Sequence, residues 1–191
     1  MKTVIILNAP AGVGKDTIAD MLEDKLGANH LRFKDQLYKD TAQHYSFNLE
    51  NFISLATSRK TKDSFFNDFS YKYNLTPRQA MIHVSEKIIK PQKGADYYGE
   101  CVVDKLEEGI NVFSDGGGWW DELHPVAQEV DHLIITRLYR EGFSFDNDSR
   151  HYYEEMDVTV DVDDKVSFCD INIVVGKPEL AIDLIFKLIK I

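Results

Sequence analysis

The sequence predicts an α/β fold, in which a parallel sheet is covered by helices on both faces. Its first segment is a short β-branched run, residues 2–7, that passes through a glycine-containing loop into an amphipathic stretch, residues 15–26. Further apolar runs then alternate with helix-like segments along the chain. This alternation indicates crossover connections between parallel strands, and in such sheets ligands bind beyond the carboxyl ends of the strands.

The strands are predicted from short apolar runs bounded by loop residues. Residues 157–162 alternate between apolar and acidic or polar positions, which predicts an exposed strand or one arm of a hairpin. The core strands are predicted at residues 2–7, 30–33, 110–114, 132–136 and 171–175.

The helices are predicted from apolar positions spaced three and four residues apart and from their end signals. Thr76 followed by Pro77 is a strong helix start, because threonine caps free amide groups and proline fits the first turn. Pro178 opens a final amphipathic helix in a similar way. The remaining predicted helices cover residues 15–26, 34–45, 49–56 and 95–108.

The length and charge of the chain limit its class. With 191 residues, of which 43% are hydrophobic, it buries a substantial core, and we expect a single domain over residues 1–191. The formal net charge of -10 argues against binding nucleic acid polymers or anionic membranes, because like charges repel. An anionic ligand must therefore meet a local positive site.

Cysteine usage and hydropathy predict a cytoplasmic protein. Cys101 and Cys169 lie far apart without metal-like spacing, so we expect reduced thiols. The apolar run at residues 4–7 is too short for a signal peptide or a membrane span, and no other segment approaches membrane length. The six histidines show no HxxxH or HExxH spacing, so we expect no zinc site held by the protein.

The loop after the first strand carries the strongest functional signal. Residues 9–17 read Ala-Pro-Ala-Gly-Val-Gly-Lys-Asp-Thr and lie between a strand and a helix, where exposed amides and the helix dipole attract phosphate. In the pattern GxxxxGK[ST], glycines let the backbone wrap the phosphates, lysine bridges the outer ones and a hydroxyl helps to hold magnesium. We therefore predict a P-loop NTPase fold that binds ATP and Mg²⁺, rather than a glycine-rich turn that merely starts a helix. The predicted cofactor-binding residues are Ala11, Gly12, Val13, Gly14, Lys15, Asp16 and Thr17.

Two positions depart from the pattern. Ala9 replaces the first glycine, which is a mild change if that residue needs only ordinary backbone angles. Asp16 replaces the serine or threonine, and we predict that its carboxylate holds magnesium directly or through water, while Thr17 offers a hydroxyl to an inner phosphate. The alternative for Asp16 is a helix-start residue without a catalytic role. Lys15 is predicted to be catalytic.

Residues 14–17, Gly-Lys-Asp-Thr, are similar to the phosphate loop of phage-type deoxynucleoside monophosphate kinases. Residues 33–37 after the second strand, residues 76–80 at a helix start and Asp115 after the third strand resemble the same family in their order and spacing. The resemblance implies a nucleoside-monophosphate-kinase-like fold with a core, a helical acceptor-binding region at about residues 34–95 and an arginine-bearing lid. It also implies phage origin, and hence the host cytoplasm.

Arg59 and Arg78 lie in this helical region and are predicted to bind the substrate's phosphate. Phosphoryl transfer needs two phosphates held in line with their charge neutralised, and guanidinium groups bind phosphate in a bidentate manner. The alternative interpretation of each arginine is an ordinary solvated surface residue. Asp35 is assigned to catalysis, in contact with the acceptor or in proton handling; the alternative is a helix-start charge.

The irregular stretch at about residues 137–155 is predicted to be a lid. Arg137, Arg140 and Arg150 occur there in an otherwise acidic chain. A closing lid excludes water and brings cations to the transferred group, so we assign Arg137 and Arg140 to catalysis and Arg150 to substrate binding. The alternative is a variable surface loop with scattered charges.

Asp115 follows the third core strand and is predicted to position magnesium or its water, or to cap the next helix. Residues 116–120 read Gly-Gly-Gly-Trp-Trp, whereas the resemblance would place an arginine close after this aspartate. The three glycines allow close approach of the backbone to a ligand, and we expect the tryptophans to pack under the next helix rather than stack on a base.

Together these features predict a kinase that transfers a phosphoryl group from ATP to a nucleoside or deoxynucleoside monophosphate. Two alternatives stay open: a P-loop kinase for another small acceptor, and a nucleotide-binding regulatory NTPase. The sequence lacks a guanine-reading NKxD motif, which disfavours a GTP-type switch. The expected partners are small-molecule nucleotides, while base and sugar preference and a homodimer are left open.

Overall fold

The computed structural model describes residues 1–115, 119–146, 148 and 150–189. The chain divides into two compact units, Met1–Phe33 with Gly99–Ile191, and Lys34–Tyr98. The second unit covers nearly the same residues as the helical region predicted at about 34–95. Its role in binding an acceptor stays a prediction.

The elements within the described residues follow one another as strands and helices, with short 3-10 turns at Glu155–Asp157 and Asp163–Lys165 and a π-helical turn at Val84–Ile89. In chain order they are β1 (Lys2–Asn8), α1 (Lys15–Leu26), β2 (Asn29–Leu31), α2 (Lys34–His44), α3 (Leu49–Thr57), α4 (Asp68–Tyr73), α5 (Pro77–His83), α6 (Lys90–Lys93), α7 (Tyr97–Val103), β3 (Gly109–Phe113), α8 (Trp120–Glu129), β4 (His132–Tyr139), β5 (Val166–Asn172) and α9 (Glu179–Ile189).

The described strands form one parallel sheet in the order β2-β3-β1-β4-β5. The central strand is β1, where Ile5 pairs with Val112 of β3 on one side and with Ile134 of β4 on the other. Because all pairs are parallel, the carboxyl ends of the strands lie at one edge of the sheet, where the loop after β1 begins. This arrangement is the α/β P-loop NTPase fold that the sequence predicted.

The sheet is buried on both faces. Val4 and Ile6 of β1 pack into one apolar cluster, whereas Ile5 and Leu7 pack into the cluster on the opposite face. All four side chains are fully buried, and each contributes on the order of 1.5–3 kcal/mol through removal of apolar surface from water. The continuous β-branched run therefore reflects a strand covered on both sides, as expected for a parallel sheet.

Strands β4 and β5 differ most from the prediction, whereas the bounds of β1, β2 and β3 differ by one or two residues. Strand β4 continues past residue 136 to Tyr139, and β5 occupies Val166–Asn172 instead of residues 171–175. The reason is pairing: β5 lies beside β4 from Leu133 opposite Val166 to Tyr139 opposite Asn172, so the ladder ends there. Apolar content alone does not reveal this, because it is the partner strand that fixes the register.

The prediction of a strand at residues 157–162 is wrong. Val162 is buried and packs into the cluster that contains Val4, whereas Val160 is 85% exposed. In a strand, these two side chains would point to the same face. The segment is instead a turn, in which the Val162 amide donates to the carbonyl of Thr159 at 3.2 Å.

The second unit is helical and has its own apolar core. Phe52 and Phe69 are fully buried and pack with further aromatic and aliphatic residues of the segment from α2 to α5. Helix α5 begins as predicted: the Thr76 hydroxyl accepts from the amide of Gln79, and the Gln79 side chain accepts from the amide of Thr76. This capping box satisfies two amides at the helix start.

None of the helices in the described ranges combines the length and the apolar character that crossing a bilayer requires. Cys101 and Cys169 are half-buried free thiols, which agrees with the prediction from their spacing. Burial raises the pKa of the Cys169 thiol.

Candidate phosphate-binding site

The loop between β1 and α1 has a backbone that only glycine adopts readily. Gly12 has φ 88° and Gly14 has φ 115°, both in the left-handed region. Gly14 is the N-cap of α1, and its carbonyl accepts from the amide of Ile18 at 3.1 Å. The first helical residue is therefore Lys15, and the free amides of the first turn point towards the loop, which is the geometry of a P-loop.

The Lys15 side chain folds back over this P-loop. Its Nζ atom donates to the carbonyl oxygens of Ala9 and Pro10 at 2.7 and 2.8 Å. Ala9 stands at the position of the first glycine in the general pattern. It is almost fully buried, so this replacement does not open the loop. The ammonium group is thereby held close to the loop amides, where it can exchange carbonyl contacts for phosphate oxygens.

The remaining predicted cofactor-binding residues lie in the same loop and the first turn of α1. The Val13 side chain is buried in the apolar cluster that also contains Ile18, and its part in cofactor binding stays a prediction. Ala11, Asp16 and Thr17 are exposed. Asp16 follows the N-cap by two residues, so it is not the cap itself, and it lies in the first turn, where a carboxylate interacts favourably with the helix dipole.

Arg140 and Phe143 lie against the P-loop. Arg140 Nη1 donates to the carbonyl of Gly12 at 3.3 Å, and its guanidinium group lies 4.7 Å from the centre of the Phe143 ring. A Cβ atom built on Gly12 would lie 2.8 Å from Phe143 Cε1. The beginning of the predicted lid is thus in contact with the phosphate loop, and Phe143 is a residue that the sequence did not single out.

The other end of this segment is fixed to the sheet by Asn8, the last residue of β1. The fully buried Asn8 side chain donates to the carbonyl of His151 at 3.2 Å and accepts from the amide of Tyr153 at 2.8 Å. The Tyr152 hydroxyl also donates to the carbonyl of Leu138 at 2.9 Å. Asn8 was read only as the end of a strand, because its partner segment lies more than 140 residues away.

Arg137 lies within β4 instead of at its exit, which corrects the sequence reading. Its guanidinium group forms a bidentate ion pair with Asp170 of β5 and also donates to the carbonyl of Tyr153 at 3.2 Å. The hydrogen bonds to Asp170 raise the pKa of Arg137. The structure thus brings Arg140, rather than Arg137, into contact with the P-loop.

Arg150 is held by Asp148 in a second bidentate pair, with Nε to Oδ1 at 2.9 Å and Nη2 to Oδ2 at 2.6 Å. This pairing raises the pKa of Arg150, and the nearby charge of Asp115 adds to the effect. Asp115 accepts from the amide of Phe33 at 3.1 Å, which links the loop after β3 to the loop after β2. Asp115 and Arg150 are therefore close enough to interact.

A cavity of about 760 Å³ opens beside the P-loop segment of the first unit. Aromatic residues form much of its wall, and Tyr139 and Tyr152 are packed with their ring centres 4.5 Å apart. Burial raises the pKa of both tyrosines. The residues that line this cavity are Tyr139, Arg140, Glu141, Phe143, Ser144, Phe145, His151, Tyr152, Glu154, Asn172 and Ile173.

Of the Gly-Gly-Gly-Trp-Trp run, residues 116–118 lie outside the described residues. Trp120 packs against the apolar cluster beneath α8, which is the packing role expected for it. Trp119 is 42% exposed, and its amide donates to the Tyr153 hydroxyl at 3.0 Å. The two tryptophans thus lie next to Tyr153, whose amide donates to the Asn8 side chain.

The second unit gathers four cationic side chains. Burial lowers the pKa of Lys62, and the nearby charges of Arg78, Lys34 and Arg59 lower it further, while Asp63 opposes them. Arg59 and Arg78, which the sequence predicted separately, therefore share one positive cluster with Lys62 and Lys34. Neither lysine was predicted, because single lysines in a sequence do not differ from solvated surface residues.

Local hydrogen bonds hold this cluster together. The Lys62 amide donates to the carbonyl of Ser58 at 3.0 Å, and the Lys62 carbonyl accepts from the amide of Arg78 at 3.0 Å. The Arg78 guanidinium group forms an ion pair with the exposed carboxylate of Asp63, Nε to Oδ1 at 2.6 Å. Asp35 is exposed in the first turn of α2, directly after Lys34.

Comparisons of the sequence with models of known protein families and with curated proteins give no match. Among solved structures, the chain is similar to a gluconokinase from Sinorhizobium meliloti 1021, with 8% sequence identity, a TM-score of 0.38 and 97% of each chain covered. Similarity at this level does not indicate what activity this chain has. The function proposed below is therefore argued from the chain's own side chains.

Proposed function

We propose that this protein is a kinase that transfers a phosphoryl group from ATP to a nucleoside or deoxynucleoside monophosphate. The observation that carries the proposal is the P-loop: left-handed Gly12 and Gly14, the free amides of the first turn of α1, and Lys15 folded over the loop. These groups favour the β- and γ-phosphates of a nucleotide.

Magnesium fits the oxygen donors near this loop. Mg²⁺ prefers carboxylate and hydroxyl oxygens together with phosphate and water, and Asp16 and Thr17 expose such groups in the first turn of α1. Asp115 is oriented by the amide of Phe33 and is the second proposed ligand. Bound Mg²⁺ would neutralise charge on the transferred group, while Asp16 and Asp115 would hold it in place.

The cavity beside the P-loop is the proposed site for the adenine of ATP. Its aromatic wall, including Phe145 and Tyr152, offers the flat apolar surface that a base requires, and Asn172 and Glu154 offer polar groups at the rim. Arg140 and Phe143 line this cavity and also lie against Gly12, which supports a base site next to the phosphate loop.

Arg140 is the proposed cation for the charge that develops during transfer, and Phe143 is proposed to shield the phosphates from water. The guanidinium group currently donates to the Gly12 carbonyl, so a phosphate oxygen would take the place of that carbonyl. Arg137 and Arg150 keep their predicted roles as proposals, although each would first have to share or release its carboxylate partner, Asp170 or Asp148.

The second unit supports a phosphorylated acceptor rather than a neutral one. Four neighbouring cations repel one another, and this repulsion adds to burial in lowering the pKa of Lys62, while Asp63 offsets only part of it. A phosphate monoester carries close to two negative charges at neutral pH and accepts several hydrogen bonds. We therefore assign the acceptor phosphate to Arg59, Lys62 and Arg78, with Asp35 beside them as the proposed acceptor contact.

A coupled assay of ADP release tests this function. The purified protein is given ATP and Mg²⁺ with a panel of ribo- and deoxynucleoside monophosphates, unphosphorylated nucleosides and sugars, with the Lys15→Ala variant as the inactive control. ADP release that requires a monophosphate supports the proposal. ADP release with an unphosphorylated acceptor indicates a different kinase, and release without any acceptor indicates a regulatory NTPase.

A further inference from the structure

Helix α1 and strand β2 bring three metal-binding side chains together, away from the P-loop. Asp20 and Glu23 are separated by one turn on α1, so they lie on the same face. The chain then turns at Gly27, whose left-handed φ of 63° lets its amide donate to the Glu23 carbonyl at 2.9 Å, and β2 returns beside the helix. As a result, donor atoms of Asp20, Glu23 and His30 all lie within 4.8 Å of one another.

The His30 ring is buried and aimed at the two carboxylates. Its side chain is only 7% exposed, whereas those of Asp20 and Glu23 are 63% and 57% exposed. The Nε2 atom forms a hydrogen bond with the buried Ser114 hydroxyl at 2.9 Å. This contact fixes the ring and directs the other nitrogen, Nδ1, at the carboxylates, as a second hydrogen bond commonly does for metal-binding histidines.

The distances fit a metal better than a hydrogen bond. His30 Nδ1 lies 3.4 Å from Asp20 Oδ1 and 3.8 Å from Glu23 Oε2. An N–H···O hydrogen bond is shorter, about 2.7–3.2 Å. Two N and O ligands of a tetrahedral zinc ion are about 3.3–3.5 Å apart, which follows from bond lengths of about 2.0–2.2 Å. The exposed Glu23 side chain is free to move closer to His30 Nδ1.

We infer that Asp20, Glu23 and His30 form a binding site for a divalent transition metal ion of the zinc type. One imidazole nitrogen and two carboxylate oxygens favour Zn²⁺ over Mg²⁺, which prefers oxygen ligands alone. Because both carboxylates are exposed, water supplies the fourth ligand. The proposed site differs from what histidine spacing led us to expect, because it has a single histidine and its carboxylate partners lie on a different element.

The ion would fasten α1 to β2. Helix α1 begins at the P-loop, and Ser114, which orients His30, directly precedes Asp115. Binding to the folded chain alone stabilises it by mass action, so the midpoint of thermal unfolding rises with metal concentration. The site is distinct from the proposed Mg²⁺ ligands and does not depend on the kinase assignment.

The test uses the full chain, treated with a chelator and free of nucleotide, at about pH 7.5, because binding needs a neutral imidazole. Co²⁺ is titrated with visible absorption as the readout, Zn²⁺ is used to displace it, and thermal unfolding is followed with Zn²⁺ or Mg²⁺. Asp20→Asn and Glu23→Gln remove one ligand each at exposed positions, and Asp24→Asn on the same helix is the matched control.

We expect one Co²⁺ per chain, displaced by Zn²⁺, and a rise in the unfolding midpoint with Zn²⁺ but not with Mg²⁺. Asp20→Asn, Glu23→Gln and His30→Gln should each weaken binding at least about tenfold, while Asp24→Asn binds like the parent. The inference is overturned if the parent binds neither ion, if the ligand variants bind equally well, or if Asp16→Asn abolishes binding. The first outcome would leave His30 in an ordinary ion pair.

Discussion

Arg140 Nη1 donates a hydrogen bond to the carbonyl of Gly12 at 3.3 Å, although the two residues are 128 positions apart in the sequence. This contact joins the predicted lid to the phosphate loop. A cation that rests on a loop carbonyl, with an aromatic ring beside it, is already near the place where a phosphate would bind. This contact is the reason why we propose Arg140, among the three arginines of the predicted lid, to act on the transferred group.

Arg140→Ala should therefore reduce turnover more than it weakens ATP binding. Arg140 is expected to act on charge that develops in the transition state, so kcat should fall by about 10²-fold or more while the Kd for ATP changes only a few-fold. Steady-state kinetics and nucleotide titration measure the two quantities. Arg140→Lys keeps the charge without the planar guanidinium group, and it should recover only part of the rate. Equal loss of rate and ATP affinity would assign Arg140 to ground-state binding.

Lys15→Ala should abolish transfer and leave the fold intact. The side chain donates to two loop carbonyls and is only half-buried, so its removal leaves the apolar core intact. We expect at least about a 10²-fold loss of turnover with an unchanged circular dichroism spectrum. Lys25→Ala, at an exposed position on the same helix, is the matched control and should behave like the parent. Turnover close to that of the parent in Lys15→Ala would remove the P-loop assignment.

Asp16→Asn should raise the Mg²⁺ concentration needed for half-maximal rate, because a metal ligand loses its charge. Asp16→Ser should partly restore function and need less Mg²⁺ for half-maximal rate than Asp16→Asn, since serine provides the hydroxyl of the general P-loop pattern. Rate measurements over a magnesium titration decide this, with Asp24→Asn as the control. Unchanged metal dependence in Asp16→Asn would leave Asp16 with only its favourable position in the first turn of α1.

Acceptor affinity should begin to fall at a pH below 10.5, the usual pKa of lysine. Burial and the neighbouring cations lower the pKa of Lys62, so this ammonium group loses its charge before an ordinary lysine does. The acceptor phosphate is already doubly ionised above its own pKa of about 6, so its charge stays constant in this range. In Lys62→Arg the guanidinium group remains charged, and the KM for the acceptor should stay flat.

Measuring the KM for the acceptor against pH, in the parent and in Lys62→Arg, tests this explanation. The Kd for ATP, measured over the same range, is the internal control and should lack this dependence. If parent and variant lose acceptor affinity in parallel, the titrating group is not Lys62 and the cationic cluster does not bind the acceptor phosphate.

The Arg137–Asp170 pair should contribute modestly to stability. Asp170 is 53% exposed, so solvent screens the pair, and removing either partner should cost about 1 kcal/mol or less. Chemical denaturation of Arg137→Ala, Asp170→Ala and the double variant gives the coupling free energy. If Arg137 serves mainly to join β4 and β5, Asp170→Ala should reduce turnover as much as Arg137→Ala. A loss of turnover confined to Arg137→Ala would support its predicted catalytic role.

Several features were determined by local sequence alone. Helix α1 was predicted with its observed bounds, and the start of α5 was predicted from Thr76 followed by Pro77. The P-loop was equally clear, because its glycines and Lys15 are contiguous and their backbone geometry depends on neighbours in the chain. The β-branched run of β1 indicated burial on both faces, and hence a parallel sheet.

Other features were decided by tertiary structure, because their partners lie far away in the sequence. Pairing with β4 set the bounds of β5, and packing of Val162 turned an alternating segment into a turn. Asn8 found its two hydrogen-bond partners only after the chain returned at residues 151–153. The same holds for His30 and the carboxylates of α1: each residue type is ordinary in the sequence, and only the fold brings their donor atoms together.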